Sequence, residues 1–313
     1  MKILLCLCLA TLSFSSLAQD FQAYYQGTNQ AKTAIIQDSL NKALSAYKAT
    51  FDAFDFGFAR DCYNALEVSV KHNDDQLTDY FVRRCILQGI TYETLFEDPK
   101  LLLFRQTKNW SEVTIDKDSL REIYLHKIDW EIREEVNQMF AEDQVIRDLA
   151  HKNRFNIFKR KQLEKRFREV DSRLVQRLLV ITKQYGFPGE QLIGIDESSM
   201  HSKINTRRFT AGMPIVILIH HFSQPNESYD SLLIREVRGG YLYNEHFAII
   251  SDFQHTYGLK KEDPTASYSE TFDTKVSTTQ INENRKKVYL LPYEHYQQLS
   301  RTKLITPFWR HLY

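Results

Sequence analysis

The feature that most limits how this chain can fold is the apolar run MPIVILIHH, residues 213–221. Its five consecutive aliphatic side chains, Ile215 to Ile219, must leave water in any folded state. Taken alone, β-branched residues of this kind favour a strand, and Pro214 suits either a strand end or the first turn of a helix. We therefore predict that this run is core and that the polar, helix-like segments around it pack against it.

The first residues, MKILLCLCLATLSFSSLAQD, have the pattern of a secretory signal peptide. An apolar block from Ile3 to Leu12 precedes a small-x-small cleavage site that ends at Ala18. A membrane anchor is the weaker alternative, because a span needs roughly 20 apolar residues. A lipoprotein is disfavoured, because Cys6 and Cys8 lie inside the block. We expect cleavage after Ala18, a periplasmic or secreted location and no stable membrane span in the cleaved chain.

The charge balance gives no indication of a nucleic-acid partner. Cleavage would remove Lys2, one of 41 basic residues, and leave 40 against 40 acidic residues. Nucleic-acid-binding proteins instead present an excess of basic residues. The chain contains no CxxC or HExxH spacing, no Gly-rich phosphate loop and no GxSxG elbow. We therefore predict no cofactor and no metal.

Helical hairpins are predicted for the N-terminal third. Apolar residues recur at helical spacing over 29–54, and a second helix is expected over about 58–70. Asp74 is a good N-cap for a third helix that ends at Gly89. Thr91 and the pair Asp98-Pro99 are caps of two further short helices.

Cys62 and Cys85 lie at similar distances from the Asn73-Asp74 turn, so an antiparallel hairpin would set them opposite each other. Two alternatives remain open. Oxidising conditions outside the cytoplasm permit a disulfide, which we expect. Free cysteines would instead pack as small apolar residues.

Residues 47–110 resemble the end of a tetratricopeptide-type array of exported bacterial proteins. The likeness is carried by DCYNALEVSVKHND (61–74), by the helix end at Gly89 and by EDPKLLLFRQTKNW (97–110). The resemblance implies a module that holds a peptide or a protein partner. The alternative is a helical cap packed on the next domain.

Two long helical patterns follow, from Asp116 to Leu149 and from Leu163 to Ile181. The first is acid-rich over 129–143, whereas a basic stretch over 152–168 opens the second. The basic stretch could bind anionic lipid or glycan. The favoured alternative is an antiparallel hairpin whose opposite charges face each other.

Residues 139–299 resemble the bacterial family described as domain of unknown function 6624. The segments that carry the likeness are, in order, MFAEDQVIRDL, EVDSRL, TKQYGFPGEQLIG, IVILIHH, AIISDFQHTYG and INENRKKVYLLPYEHY. His220 departs from the family pattern, which has Gln before the matching His221. The resemblance implies that the run 213–221 is a helix, and we adopt that prediction. It implies no activity.

The candidate polar site consists of Asp143, Arg147, His221 and Asp252. Asp143 and Arg147 stand four residues apart, acid first, which suits a local ion pair. His221 could act as a general base if Asp252 or Asp143 oriented it. The favoured alternative is a buried structural or ligand-orienting residue that hydrogen-bonds a carboxylate or a backbone carbonyl. His220 and His221 are poor joint metal ligands, because adjacent helical residues point about 100° apart.

The sequence predicts a mainly α fold, in which N-terminal helical hairpins pack on a larger, mostly helical C-terminal domain. At most a small β-hairpin is expected, over 259–279. The expected divisions are a signal peptide (1–18), a helical-hairpin region (19–112) and a helical domain (113–313). We predict an exported, non-catalytic protein that binds a peptide, a glycan or an exported protein. The alternative is a hydrolase that uses His221 with Asp252 and Asp143.

Overall fold

The computed structural model describes residues 20–153, 157–196, 209–222, 229–257, 267–269, 276–302 and 304. Within these ranges the chain forms fourteen α-helices and no strand, so the predicted mainly α fold is confirmed. The predicted signal peptide and most of the segment 259–279 lie outside the described residues. No helix in the described ranges combines the length and the apolar character that a membrane crossing requires.

The N-terminal helices form hairpins. They are α1 (Gln22–Ile36), α2 (Leu40–Ala53), α3 (Ala59–His72), α4 (Asp75–Leu87), α5 (Tyr92–Glu97) and α6 (Lys108–Leu125), with 3-10 turns at Pro99–Leu101 and Phe104–Gln106. Helix α1 packs on α2, α3 on α4, and α4 on α6. Large side chains such as Tyr24, Tyr47 and Phe51 are fully buried between them. The predicted helical hairpins are therefore confirmed, but the single pattern predicted over 29–54 divides into α1 and α2, because the chain turns at Asp38, which has a φ of +54°.

Three predicted caps are confirmed in this region. The carboxylate of Asp74 accepts a hydrogen bond from the Leu77 amide at 2.9 Å. Thr91 accepts one from the Thr94 amide at 3.2 Å. Asp98 accepts one from the Lys100 amide at 2.9 Å. Each side chain accepts a hydrogen bond from a backbone amide that the first helical turn would leave unpaired. Local hydrogen bonding therefore determines where these turns begin.

Eight further helices follow. They are α7 (Trp130–Lys152), α8 (Ile157–Tyr185), α9 (Glu190–Ile193), α10 (Met213–Phe222), α11 (Asp230–Arg238), α12 (Asn244–Tyr257), α13 (Thr278–Lys287) and α14 (Tyr293–Arg301). The single helical pattern predicted from Asp116 to Leu149 is wrong, because it divides into α6 and α7. The reason is a second cap: Asp129 accepts a hydrogen bond from the Ile132 amide at 3.0 Å and starts a new helix.

The apolar run 213–221 is helical, as the resemblance implies, and forms most of α10. Ile215, Ile217, Leu218 and Ile219 are buried. Helix α10 contacts α7, α8 and α12, so apolar side chains on several of its sides find partners. A helix that is apolar all round is stable when it is surrounded in this way, and such packing overrides the strand preference of β-branched residues.

The N-terminal hairpins and the C-terminal helices share one core. A single buried apolar cluster contains residues from Phe21 to Leu299. Helix α1 packs on α14, and the amide of Phe21 donates to the carbonyl of Arg238 at 3.0 Å. The predicted boundary between residues 112 and 113 falls inside α6. Packing therefore continues across that boundary.

Opposite charges face each other across α7 and α8. Arg173 pairs with Glu142, and Nη2 of Arg177 donates to Glu135 at 2.7 Å. The pairing order is antiparallel, as the favoured alternative predicted. The basic partners are not those expected, because Arg173 and Arg177 follow the stretch 152–168 rather than lie within it. These pairs are largely exposed and contribute little to stability.

Candidate functional site

Two of the predicted site residues meet at the junction of α7, α8 and α10. We use the name polar cluster for Asp143 and Arg147 of α7, Asp171 of α8 and His220 of α10. The two carboxylates are buried, with 1% and 3% of Asp143 and Asp171 exposed. The side chains of Arg147 and His220 are 22% and 26% exposed. The cluster therefore has a buried acidic floor and a partly accessible rim formed by Arg147 and His220.

Asp143 is the central acceptor of the polar cluster. Nε of Arg147 lies 3.0 Å from Oδ1 and 3.2 Å from Oδ2. Nδ1 of His220 lies 2.8 Å from Oδ2, and the side-chain amide of Gln144 donates through Nε2 to the same oxygen at 2.8 Å. Burial acts to raise the pKa of Asp143, but the bonds from His220 and Arg147 outweigh it and lower the pKa. Asp143 is therefore held as a carboxylate.

Asp171 is the second carboxylate of the polar cluster. Nη2 of Arg147 lies 3.0 Å from its Oδ1, and the same guanidinium lies 4.2 Å from the ring centre of Phe167. Burial raises the pKa of Asp171 to about 6 despite the charge of Arg147. Its Oδ2 is buried and has no hydrogen-bond partner among the described residues. The cluster thus contains two carboxylates whose pKa values are pushed apart, an arrangement that can hold and release a proton.

The histidine that contacts Asp143 is His220, the neighbour of the predicted His221. Adjacent helical residues point about 100° apart, so only one of the two can face α7. One face of α10 carries the half-buried residues Met213, Val216 and His220. Their spacing of three and four residues is a sequence signal that His220, rather than His221, lies on this less buried face. The predicted burial of His221 is confirmed at 7% exposure, and burial lowers its pKa to about 4.

Asp252 belongs to a different buried site. Its Oδ1 accepts a hydrogen bond from the Tyr268 amide at 2.6 Å, and its Oδ2 accepts one from the Ser269 hydroxyl at 3.0 Å. Burial raises the pKa of Asp252 to about 7. Arg285 of α13 holds the same segment, because its Nη1 donates to the Tyr268 carbonyl at 2.8 Å. Asp252 thus attaches 267–269 to α12, whereas Asp143 serves the polar cluster.

The two cysteines lie on α3 and α4, which pack against each other. The predicted disulfide between them is not formed. Cys62 on α3 and Cys85 on α4 are free thiols, and both are completely buried. Burial raises the pKa of Cys62 to about 12 and that of Cys85 well above its usual value. The alternative from the sequence, a pair of core thiols, matches this arrangement.

Sequence reasoning missed a polar cleft along α1 and α2, which we call the amide cleft. It has a volume of about 570 Å³. From α1 it is lined by Gln26, Asn29, Gln30, Thr33, Ala34 and, just beyond the helix, Gln37; from α2 it is lined by Lys42 and Ala46. The signal was present as a polar stripe at four, three and four residue steps, formed by Gln26, Gln30, Thr33 and Gln37.

A second depression adjoins the amide cleft. It has a volume of about 440 Å³ and is lined by Asp38, Ser39, Leu40, Asn41, Lys42 and His72. Lys42 borders both depressions, so they form one continuous polar surface around the α1–α2 turn.

The described part of the chain contains no group of three or more His, Cys, Asp or Glu side chains placed to hold a metal ion. Comparisons of the chain with protein-family models, with curated proteins and with solved structures found no match. The likeness to a tetratricopeptide-type array and to the family of unknown function therefore stays a prediction.

Proposed function

We propose that this chain is an exported, non-catalytic binding protein and that the amide cleft is its ligand site. The observation that carries the proposal is the lining: apart from two alanines, all its side chains are polar. Amide and hydroxyl groups both donate and accept hydrogen bonds, so they suit a polar ligand. A peptide, a glycan or a protein segment is a polar ligand of this kind.

The helix that presents the cleft is firmly held. Lys32, on the buried side of α1, lies 3.2 Å from the buried carboxylate of Asp61. Asn29 donates to the carbonyl of Tyr289 at 2.7 Å. The hydroxyl of Tyr25 donates to the carbonyl of Leu242 at 3.1 Å. Because α1 is fixed on its inner side, its outer stripe is preorganised, which lowers the entropy lost on binding.

A bulky residue in the cleft tests the proposal. Ala46 lies half-buried in the lining, so Ala46→Trp should fill the cleft. Two probes serve in equilibrium dialysis: a pool of random pentapeptides and a pool of mixed oligosaccharides. We expect wild type to retain members of one pool and Ala46→Trp to lose them. The exposed α7 position gives the control Ala141→Trp, which should bind like wild type.

Gln30→Ala is a second test that should not disturb folding, because Gln30 is exposed. It removes one hydrogen-bonding group and should weaken retention without blocking the cleft. Retention of neither pool by wild type, or equal retention by wild type and Ala46→Trp, would reject the cleft as a ligand site.

Hydrolysis at the polar cluster is a second candidate function. One observation favours it: Nδ1 of His220 contacts Asp143, the arrangement by which a carboxylate orients a histidine general base. In this case the histidine is His220 rather than the predicted His221. Hydrolysis of p-nitrophenyl acetate tests it. An excess rate lost in His220→Gln and kept in His295→Gln supports this function, and equal rates in all three proteins reject it.

A further inference from the structure

We propose that the ligand of the amide cleft is an extended peptide, bound through its main chain and carrying an acidic group beside Lys42. This inference rests on the binding function proposed above and names its ligand class. It is argued from the spacing of the lining, from its chemistry and from the position of its charge.

The spacing of the α1 stripe matches an extended main chain. Gln26, Gln30, Thr33 and Gln37 are separated by four, three and four residues, so neighbouring side chains lie about 5–6 Å apart. An extended chain repeats the groups on one side every two residues, or about 6.6 Å. The stripe is about 16 Å long at a rise of about 1.5 Å per residue. That length accommodates roughly five extended residues.

The chemistry of the lining favours the main chain of a peptide. Side-chain amides present a donor and an acceptor, the complement of a peptide N–H and C=O. The two alanines, Ala34 and Ala46, are small enough for a main chain to approach closely. Among the described residues, the lining includes no aromatic ring on which the apolar face of a sugar could pack. A peptide is therefore a better fit than a glycan.

The charge of the lining locates one end of the ligand. Lys42 is the charged residue of the amide cleft and lies where it joins the second depression. Beyond Lys42, Asp38 lines the second depression and would repel an anionic group placed there. An acidic side chain or a free carboxylate is thus favoured beside Lys42 and disfavoured further along. The interaction is exposed, so it selects among peptides more than it adds affinity.

A charge reversal tests this assignment on the full chain. The probes are immobilised, N-acetylated pentapeptides that differ from one another in one terminal residue. Mixed oligosaccharides on the same array represent the other ligand class. We expect wild type to bind peptides ending in Asp or Glu about 2–5-fold better than those ending in Lys or Arg. Lys42→Glu should reverse that preference. Because Lys42 is exposed in the first turn of α2, where an acidic residue is favourable, the variant should fold.

Lys127→Glu, an exposed reversal after α6, is the matched control and should keep the wild-type preference. If wild type and Lys42→Glu bind peptides with the same preference between acidic and basic ends, the proposed acidic group beside Lys42 is rejected. The proposed binding function would remain. Binding of oligosaccharides alone, lost in Ala46→Trp, would overturn the peptide and again leave the cleft as a binding site. Binding of neither class would overturn both proposals.

Discussion

At the scale of single residues, Asp143 joins three helices because its carboxylate accepts hydrogen bonds from both α7 and α10 while Arg147 also reaches α8. Asp143→Ala would leave Arg147 and Nδ1 of His220 without this acceptor. We expect a loss of about 1–3 kcal/mol in the free energy of unfolding, measured by urea denaturation. Asp143→Asn keeps one acceptor oxygen and should be milder.

The control for this experiment lies on the same helix. Asp148 forms an exposed pair with Lys152, and Asp148→Ala should change the free energy of unfolding little. Equal effects of Asp143→Ala and Asp148→Ala would show that the polar cluster does not hold the helices together.

The two cysteines give a second prediction at this scale. Burial raises the pKa of Cys62 to about 12, so the reactive thiolate is scarce in the native protein. For the chain cleaved after Ala18, which lacks Cys6 and Cys8, we expect Ellman's reagent to react slowly with native protein and to titrate two thiols after denaturation without reductant. No thiol released on denaturation would mean that the protein contains the disulfide after all.

The sequence indicated part of the polar cluster for a physical reason. Asp143 and Arg147 follow from spacing alone, because residues four apart on a helix are neighbours. The roles of His220 and Asp171 depend on how α8 and α10 are rotated against α7, which only tertiary packing decides. Asp252 was grouped with Asp143 because both match positions of the family of unknown function. The order of residues in the sequence does not say how far apart they lie in the fold.

At the scale of elements, three helix or turn starts, at Asp74, Thr91 and Asp98, were predictable, because a cap depends on residues only two or three apart. Asp74→Ala removes the side chain that accepts the Leu77 amide, and we expect it to destabilise the protein by about 1 kcal/mol. Ser39, before α2, makes no side-chain cap bond, so Ser39→Ala is the matched control. Similar urea midpoints for the two variants would contradict this account of the caps.

Helix ends and helix type were less predictable. The pattern from Asp116 to Leu149 hides the break before α7, because Asp129 within an acid-rich stretch was not distinguished as a cap. The run 213–221 contains β-branched residues that suit a strand locally. Its helical state depends on α7, α8 and α12, which are distant in sequence.

At the scale of the whole molecule, stability should depend on pH through buried carboxyl groups. Burial raises the pKa of Asp252 to about 7 and that of Glu190 to about 8. In the unfolded chain these groups ionise at about pH 4. Above that pH the folded state retains protons that the unfolded state releases, so stability is lost as pH rises towards about 8.

Two buried histidines act in the opposite direction. Burial lowers the pKa of His221 to about 4 and that of His246 to about 3. Unfolded histidine has a pKa of about 6.5, so their contribution is present above that pH and is lost on acidification. Between about pH 4 and 6.5 these two effects oppose each other, so urea midpoints should fall most clearly from about pH 6.5 to about 8. Glu190→Gln should flatten the alkaline side, and an unchanged slope would contradict the assignment to Glu190.

The contacts of α1 also constrain the order in which parts of the chain can fold. Tyr25 hydrogen-bonds Leu242, and Asn29 hydrogen-bonds Tyr289, so α1 is anchored by residues more than 200 positions later in the chain. A growing chain that has released α1 must wait for more than 200 further residues before these bonds can form. Such long closures slow folding and keep apolar surface exposed. Helix α1, the first helix of the described residues, is thus among the last to reach its final place.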